Sequence, residues 1–166
     1  MGYYMSKEIL SRLSSYNLFN YLLPGVIFVV AASEFTRYSF LQQDIIVGLF
    51  FYYFIGLVIS RFGSLTIEPF LRRLSFLRFA DHKDFVAACK KDEKLELLSE
   101  VNNTYRTLCS LFALLLLLKA YEGIEARFSA LKDWSGVILV ALLLVMFLFA
   151  YRKQTLYVIN RIKANG

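Results

Sequence analysis

Four apolar stretches alternate with charge-rich ones along this chain. Residues 13–33, 45–60, 107–118 and 134–151 carry no Asp, Glu, Lys or Arg. A helix that crosses a bilayer needs about 20 mostly apolar residues, so the pattern predicts four transmembrane helices, near 16–33, 45–62, 105–121 and 134–151. The third run is the shortest. Arg106 and Lys119 flank it, and their long apolar stems can lie along the helix and carry the charges to the two interfaces, lengthening the effective span. Upstream of that run Leu97, Leu98, Val101, Tyr105, Leu108 and Phe112 share one helical stripe. The third helix is therefore expected to start near Asp92, stand out of the membrane and enter it without a break.

The expected fold is an all-α integral membrane protein with four transmembrane helices. A helical cytoplasmic connection, 63–104, joins the second and third spans, a tail occupies 152–166, and the whole forms one membrane domain. Composition agrees, because 58% hydrophobic and 17% aromatic residues exceed what a soluble domain of this length can bury. Residues 1–32 also have the outline of a secretion signal, with Lys7 and Arg12 before an apolar run that ends in Ala31, Ala32 and Ser33. Asn17, Asn20 and Pro24 within that run fit a retained span, whose polar groups find partners in a bundle.

Charge sets the expected orientation, since loops kept on the cytoplasmic side carry the excess of Lys and Arg. The N-terminal segment, the 61–106 connection and the tail hold fifteen of the nineteen basic residues, against eight acidic ones. The segments 34–44 and 119–133 hold four basic and five acidic residues. Both termini and the connection are thus expected inside, at about +7 against −1 outside. Trp134 and Tyr151, at the two ends of the fourth run, match interfacial aromatic belts.

Within the connection, Pro69 is expected in the first turn of a helix that runs to Ala80, and Asp81 and Asp92 as N-caps of the two helices that follow. The 69–80 segment would show two apolar sides, Phe70, Leu71, Leu74 and Leu77 on one and Phe76 and Phe79 on the other, with Arg72, Arg73 and Arg78 between them. Such a helix suits the inner headgroup layer.

Catalytic constellations are sparse. Residues 81–84, DHKD, bring two carboxylates and the single histidine together, a grouping suited either to acid–base chemistry or to an ordinary solvated helix start. Cys89 and Cys109 are expected as reduced thiols, and neither a metal site nor a cofactor motif is evident. The chain is not expected to be an enzyme. A small lipid-modifying enzyme would have to rest on DHKD.

Other residues point to packing and to anion binding. Gly48 and Gly56 lie eight apart on the second span and would let another helix approach. Asn17 and Asn20, one turn apart on the first span, are costly against lipid and should face protein or water, as helix glue or as pathway lining. Arg72, Arg73, Arg78, Lys83, Lys90, Lys91 and Lys94 precede the third span, and Arg152, Lys153, Arg161 and Lys163 follow the fourth. They form a candidate anion site, although an inside loop needs positive charge for topology alone, and anionic lipids accept it.

YNLFNYLLPGVIF at 16–28, IEPFLRRLSFLRFADHKDF at 67–85 and KLELLSEVNNTYRTL at 94–108 resemble stretches of the small four-span membrane effectors encoded in bacterial anti-phage defence operons of the Hailong type. That resemblance implies a homo-oligomeric channel or membrane-disrupting pore in the bacterial inner membrane. It also implies a nucleotide or short nucleic acid signal, made by a partner nucleotidyltransferase, as the controlling ligand. Four spans are too few to enclose a hydrated pathway in one subunit, so a pore needs several chains about an axis. The other expectation is a non-conducting anchor that recruits a cytoplasmic partner through its connection.

Overall fold

The structure, a computed structural model, describes residues 17–80, 82–92, 94–128 and 130–165, with backbone alone at 82, 83, 164 and 165. Among these residues it is all-helical. Four helices are long and apolar enough to cross a membrane: α1 (Leu18–Phe35), α2 (Ile45–Arg73), α4 (Lys94–Glu125) and α5 (Ala130–Asn165). The short α3 (His82–Cys89) lies between the second and third of them. The 32 residues of α4 and 36 of α5 correspond to about 48 and 54 Å at 1.5 Å per residue. Both exceed the ~30 Å hydrocarbon core, so both must continue beyond it. The segment after 151, expected only as a tail, is the last part of α5.

Two prolines shape the first pair of helices in the same way. Pro24 follows a π-helical turn at Leu18–Leu22, and Pro69 follows another at Gly63–Ile67. A proline inside a helix removes a donor, and its ring presses on the carbonyl four residues back. Widening the preceding turn gives that carbonyl room, and both helices run on.

The expected helix from Pro69 to Ala80 is corrected. Pro69 sits inside α2, which stops at Arg73. The stop is a Schellman motif: the Ser75 N–H donates to the Arg72 carbonyl (3.0 Å), the Phe76 N–H to the Leu71 carbonyl (3.0 Å), and Ser75 has a φ of 59°. Arg72 and Arg73 complement the carbonyl end of the helix dipole, which favours ending the helix there. The two apolar sides drawn for 69–80 therefore do not form, and Phe70, Leu74 and Phe76 are exposed. The Asp81 cap lies outside the described residues. Asp92 does cap α4, its Oδ1 accepting from the Lys94 N–H at 2.9 Å.

Packing centres on α1, α2 and α4. The largest buried apolar side chains are Val29, Ile59 and Leu111, one from each helix. Where α1 and α2 cross, a Cβ on Gly25 would collide with the Tyr52 carbonyl, and one on Gly56 with the Tyr21 carbonyl. Gly25 and Gly56 thus let the two backbones touch, and Tyr21 packs edge-on against Tyr53 at 5.5 Å. Helix α5 stands at the edge of this core. None of its most apolar window is buried within the chain, and it meets α2 through Phe147 stacked on Phe54 at 6.2 Å.

Candidate functional site

Polar side chains gather at one end of the spans, where the charge-free runs of α2 and α5 give way to Arg61 and Lys153. Asn20, Ser60, Thr107 and Ser110 are all at most 4% exposed. Helix geometry sets each on an inward face, where neighbouring helices and, for Thr107 and Ser110, the residue's own helix supply the partners. The Thr107 hydroxyl lies 3.0 Å from Asn20 Oδ1, 2.9 Å from its own helix at the Asn103 carbonyl, and 3.4 Å from the Ser60 hydroxyl. The Ser110 hydroxyl donates to the Arg106 carbonyl at 2.7 Å, and Gly63 lets it lie against α2. A buried polar group away from water is costly unless bonded, and this cluster meets that requirement across three helices.

A charged layer adjoins it. Arg106 Nη1 of α4 lies 2.8 Å from Glu68 Oε2 of α2, and Lys153 Nζ of α5 lies 3.5 Å from Glu68 Oε1. The same ammonium donates to the Ser64 carbonyl at 2.7 Å and to the Ser64 hydroxyl at 2.8 Å. Glu68 therefore ties α4 and α5 to α2, while Asn20 brings in α1. Arg106, expected to reach toward the interface beside the third span, forms an ion pair in which its side chain is 22% exposed and that of Glu68 17%. Charges this shielded interact more strongly than surface pairs, and they depend on each other for solvation.

Beside the layer lie two adjoining cavities. The smaller, about 90 Å³, is lined by Arg61, Ser64, Leu65, Ala150, Lys153, Gln154 and Tyr157. The larger, about 350 Å³ and more open, is lined by Ser64, Leu65, Glu68, Pro69, Arg72 and Lys153. Among the described residues, Arg72 is the one of the seven candidate anion-binding residues preceding the third span that lines this space, and Lys153 is the one of the four following the fourth. The Arg72 guanidinium also stands 5.4 Å over the Phe79 ring. Arg73, Arg78, Lys90, Lys91 and Lys94 are exposed and make no ion pair among the described residues. The Lys83 side chain lies outside the described residues, as does most of DHKD, of which Asp84 is exposed.

The packing residues divide. Asn20 is buried and bonded, whereas Asn17 is half-buried at the start of the described chain and makes no capping bond with its side chain. Gly56 stands at the α1–α2 crossing. Gly48 does not: the atoms nearest to a Cβ there belong to Gln42 and Tyr52, at 3.4 Å, from the preceding loop and its own helix.

At the opposite end of the spans the 36–44 loop is clamped to α4. Arg37 Nε and Lys119 Nζ reach the two oxygens of Glu122 at 3.2 and 3.0 Å, and the Tyr38 hydroxyl donates to Glu125 Oε2 at 2.7 Å. Burial first, and then the Glu125 carboxylate, push the Tyr38 phenol up to about 12. Asp44 caps α2 by accepting from Ile46 and Val47 N–H at 2.8 and 2.9 Å.

Sequence reasoning missed Glu68 and Lys153 as partners, together with Gly25 and Gly63. Glu68 carried a signal, since it is the one acidic residue between Asp44 and Asp81, within a stretch holding Arg61, Arg72, Arg73 and Arg78. Comparison with protein-family models, with curated proteins and with solved structures yields no match.

Proposed function

We propose that this chain is a membrane effector that assembles into an oligomeric ion channel or membrane-disrupting pore, controlled by a nucleotide or short oligonucleotide. In this reading the end carrying Arg61 and Lys153 faces the cytoplasm of a bacterial inner membrane, as the distribution of Lys and Arg favours. The ligand is the signal of a partner nucleotidyltransferase, as the resemblance to anti-phage effectors implies. Anionic lipids surround the same face.

The observation that carries the reading is Glu68, a single carboxylate holding Arg106 and Lys153 from two other helices, next to a cavity that Arg72 lines. An anion docking on the exposed arginines and lysines, with Arg72 at its inner edge, competes with Glu68 for Arg106 and Lys153. Loosening that tie frees α5 from α2 and lets the projecting α4 change its tilt, and α4 carries the shift into the bilayer. Either state of the pathway can be the one that binds the ligand better.

Purified protein in liposomes, assayed for ion flux with and without short oligonucleotides and cyclic nucleotides, tests this. Flux that responds to one of them is expected, and no flux under any condition removes the channel reading. Neutralising Arg72, Arg73 and Arg78 together should abolish ligand control and leave membrane insertion intact. A full ligand response in that triple variant would place the anion elsewhere.

The second reading is a non-conducting anchor. The exposed Leu97, Leu98 and Val101 at the start of α4 favour it, because an apolar stripe beyond the apolar run needs a protein partner. Recruitment of a cytoplasmic protein without flux would support the anchor.

A further inference from the structure

We propose that the cleft between α2 and α5 is a binding site for a phosphate ester, and that an anionic phospholipid headgroup is the source its lining favours. The proposal goes beyond the conductance reading and does not depend on it.

Depth is the first argument. Arg61 is the first charge after the apolar run of α2, and Arg152 and Lys153 are the first after that of α5. In both helices the cations therefore stand where hydrocarbon ends and headgroups begin. The two cavities share Ser64, Leu65 and Lys153 in their linings, so they adjoin along the cleft at that level.

Charge is the second. Arg61, Arg72 and Lys153 line the cleft against a single carboxylate, Glu68. Glu68 is already engaged by Arg106 at 2.8 Å, and neither Arg61 nor Arg72 makes an ion pair among the described residues. Among the described residues the cleft thus keeps a cationic excess, with Glu68 the one carboxylate in its lining. Guanidinium groups match phosphate oxygens in pairs, and a lysine adds a compact point charge beside them.

Shape is the third. The larger cavity, at about 350 Å³, holds several times the ~30 Å³ that one water occupies in the liquid. Leu65 and Ala150 add an apolar wall to the smaller cavity, and no residue in the most apolar window of α5 is fully buried in the core. A phosphate bearing acyl chains can set its charge among the cations and run its chains along that apolar wall. A soluble phosphate gains only the first half of this.

The test uses full-length protein purified in neutral detergent. Native mass spectrometry then measures retained phosphatidylglycerol against phosphatidylcholine. Phosphatidylglycerol should be preferred, and the preference should fall about fivefold per cation removed in Arg61→Gln/Arg72→Gln. Arg127→Gln/Lys132→Gln, with the same loss of charge at two exposed residues outside the cleft, should keep it. Lys153→Gln is left out of the primary comparison because Lys153 also bonds Ser64.

Equal losses in the two double variants, or no preference in the unaltered chain, would overturn the site. Adding millimolar glycerol phosphate separates the sources. Displacement of the lipid means that the phosphate alone is recognised, and retention means that headgroup and chains are held together; both outcomes support the site. Because no flux is read, failure here leaves the conductance reading standing, and failure of that reading leaves this one standing.

Discussion

Asn20 and Thr107 meet at 3.0 Å with almost no exposure, and their geometry separates two meanings of a polar residue inside a span. A side chain lining a water-filled path needs water as its partner, whereas Asn20 has Thr107, whose hydroxyl also lies 3.4 Å from that of Ser60. Thr107→Val should therefore lower the stability of the folded protein in detergent by about 0.6 to 1.7 kcal/mol, the range for hydrogen bonds between membrane helices. Flux per folded molecule should stay the same. A change in flux without a change in unfolding midpoint would put water at this point. The glycines make a sharper test. Gly56→Ala drives a methyl group into the Tyr21 carbonyl, and Gly25→Ala another into that of Tyr52. Overpacking of this kind costs about 1 to 3 kcal/mol. Gly123→Ala, with nothing within 4 Å of the added carbon, should leave the midpoint unchanged or raise it. A thermal unfolding series of the three variants decides the matter. These residues also mark where sequence reading stops. Spacing along one helix put Gly48 and Gly56 on a common face, yet the true counterpart of Gly56 is Gly25, on another helix. No periodicity within a single helix says which neighbour its face will meet.

At the scale of elements, the charge-free runs located all four described helices that are long and apolar enough to cross a membrane, because the bilayer makes length and apolarity a strong condition. The connection was read less well, because there the end of α2 turned on local chemistry. Ser75 at φ 59° closes a motif in which glycine is the usual residue, and a serine carries no sequence signal for it. A side-chain-bearing residue in that conformation costs about 1 to 2 kcal/mol, of which glycine returns part to unfolded-chain freedom. Ser75→Gly should thus stabilise the protein by about 0.5 to 1 kcal/mol, seen as a higher unfolding midpoint. A lower midpoint would mean that α2 does not end there. The loop clamp on α4 behaves differently with pH. Because the Tyr38 phenol is raised from 10.0 to about 12, the folded state favours its protonated form. The contribution is fully present below pH 10 and is lost as pH rises through about 12. Spectroscopic titration of tyrosinate absorbance should lose a late-ionising phenol in Tyr38→Phe relative to the unaltered chain, while stability between pH 6 and 9 stays flat with respect to this group. A phenol already ionised at pH 10 would mean that the contact to Glu125 is not made.

For the whole molecule the question is what covers the apolar surface left over. Lipid suffices for α5 between Trp134 and Tyr151, which lie about 26 Å apart along the helix at 1.5 Å per residue. It does not suffice for the start of α4. Residues 94–105 precede Arg106, which is tied to Glu68 at the charged layer, so about 18 Å of helix stands beyond that layer. There Leu97 and Leu98 are each 61% exposed and Tyr105 is 65% exposed. An exposed apolar stripe marks a surface for a protein partner or the membrane, and a stripe set this far beyond the charged layer favours a protein. In the proposed oligomer the covering surface is the same stripe of a second copy, and closed symmetry allows each copy to serve as partner to the next. Converting Leu98 and Val101 together to glutamate should therefore reduce the assembly to monomers, measured as particle mass by light scattering in detergent. Resistance to alkaline carbonate extraction should be retained, because the spans are unaltered. If the unaltered protein is already monomeric at working concentration, the stripe faces a different protein and the anchor reading gains. If the double variant keeps the parental mass, subunits meet through the spans, and the lipid-facing surface of α5 becomes the place to look for the contact.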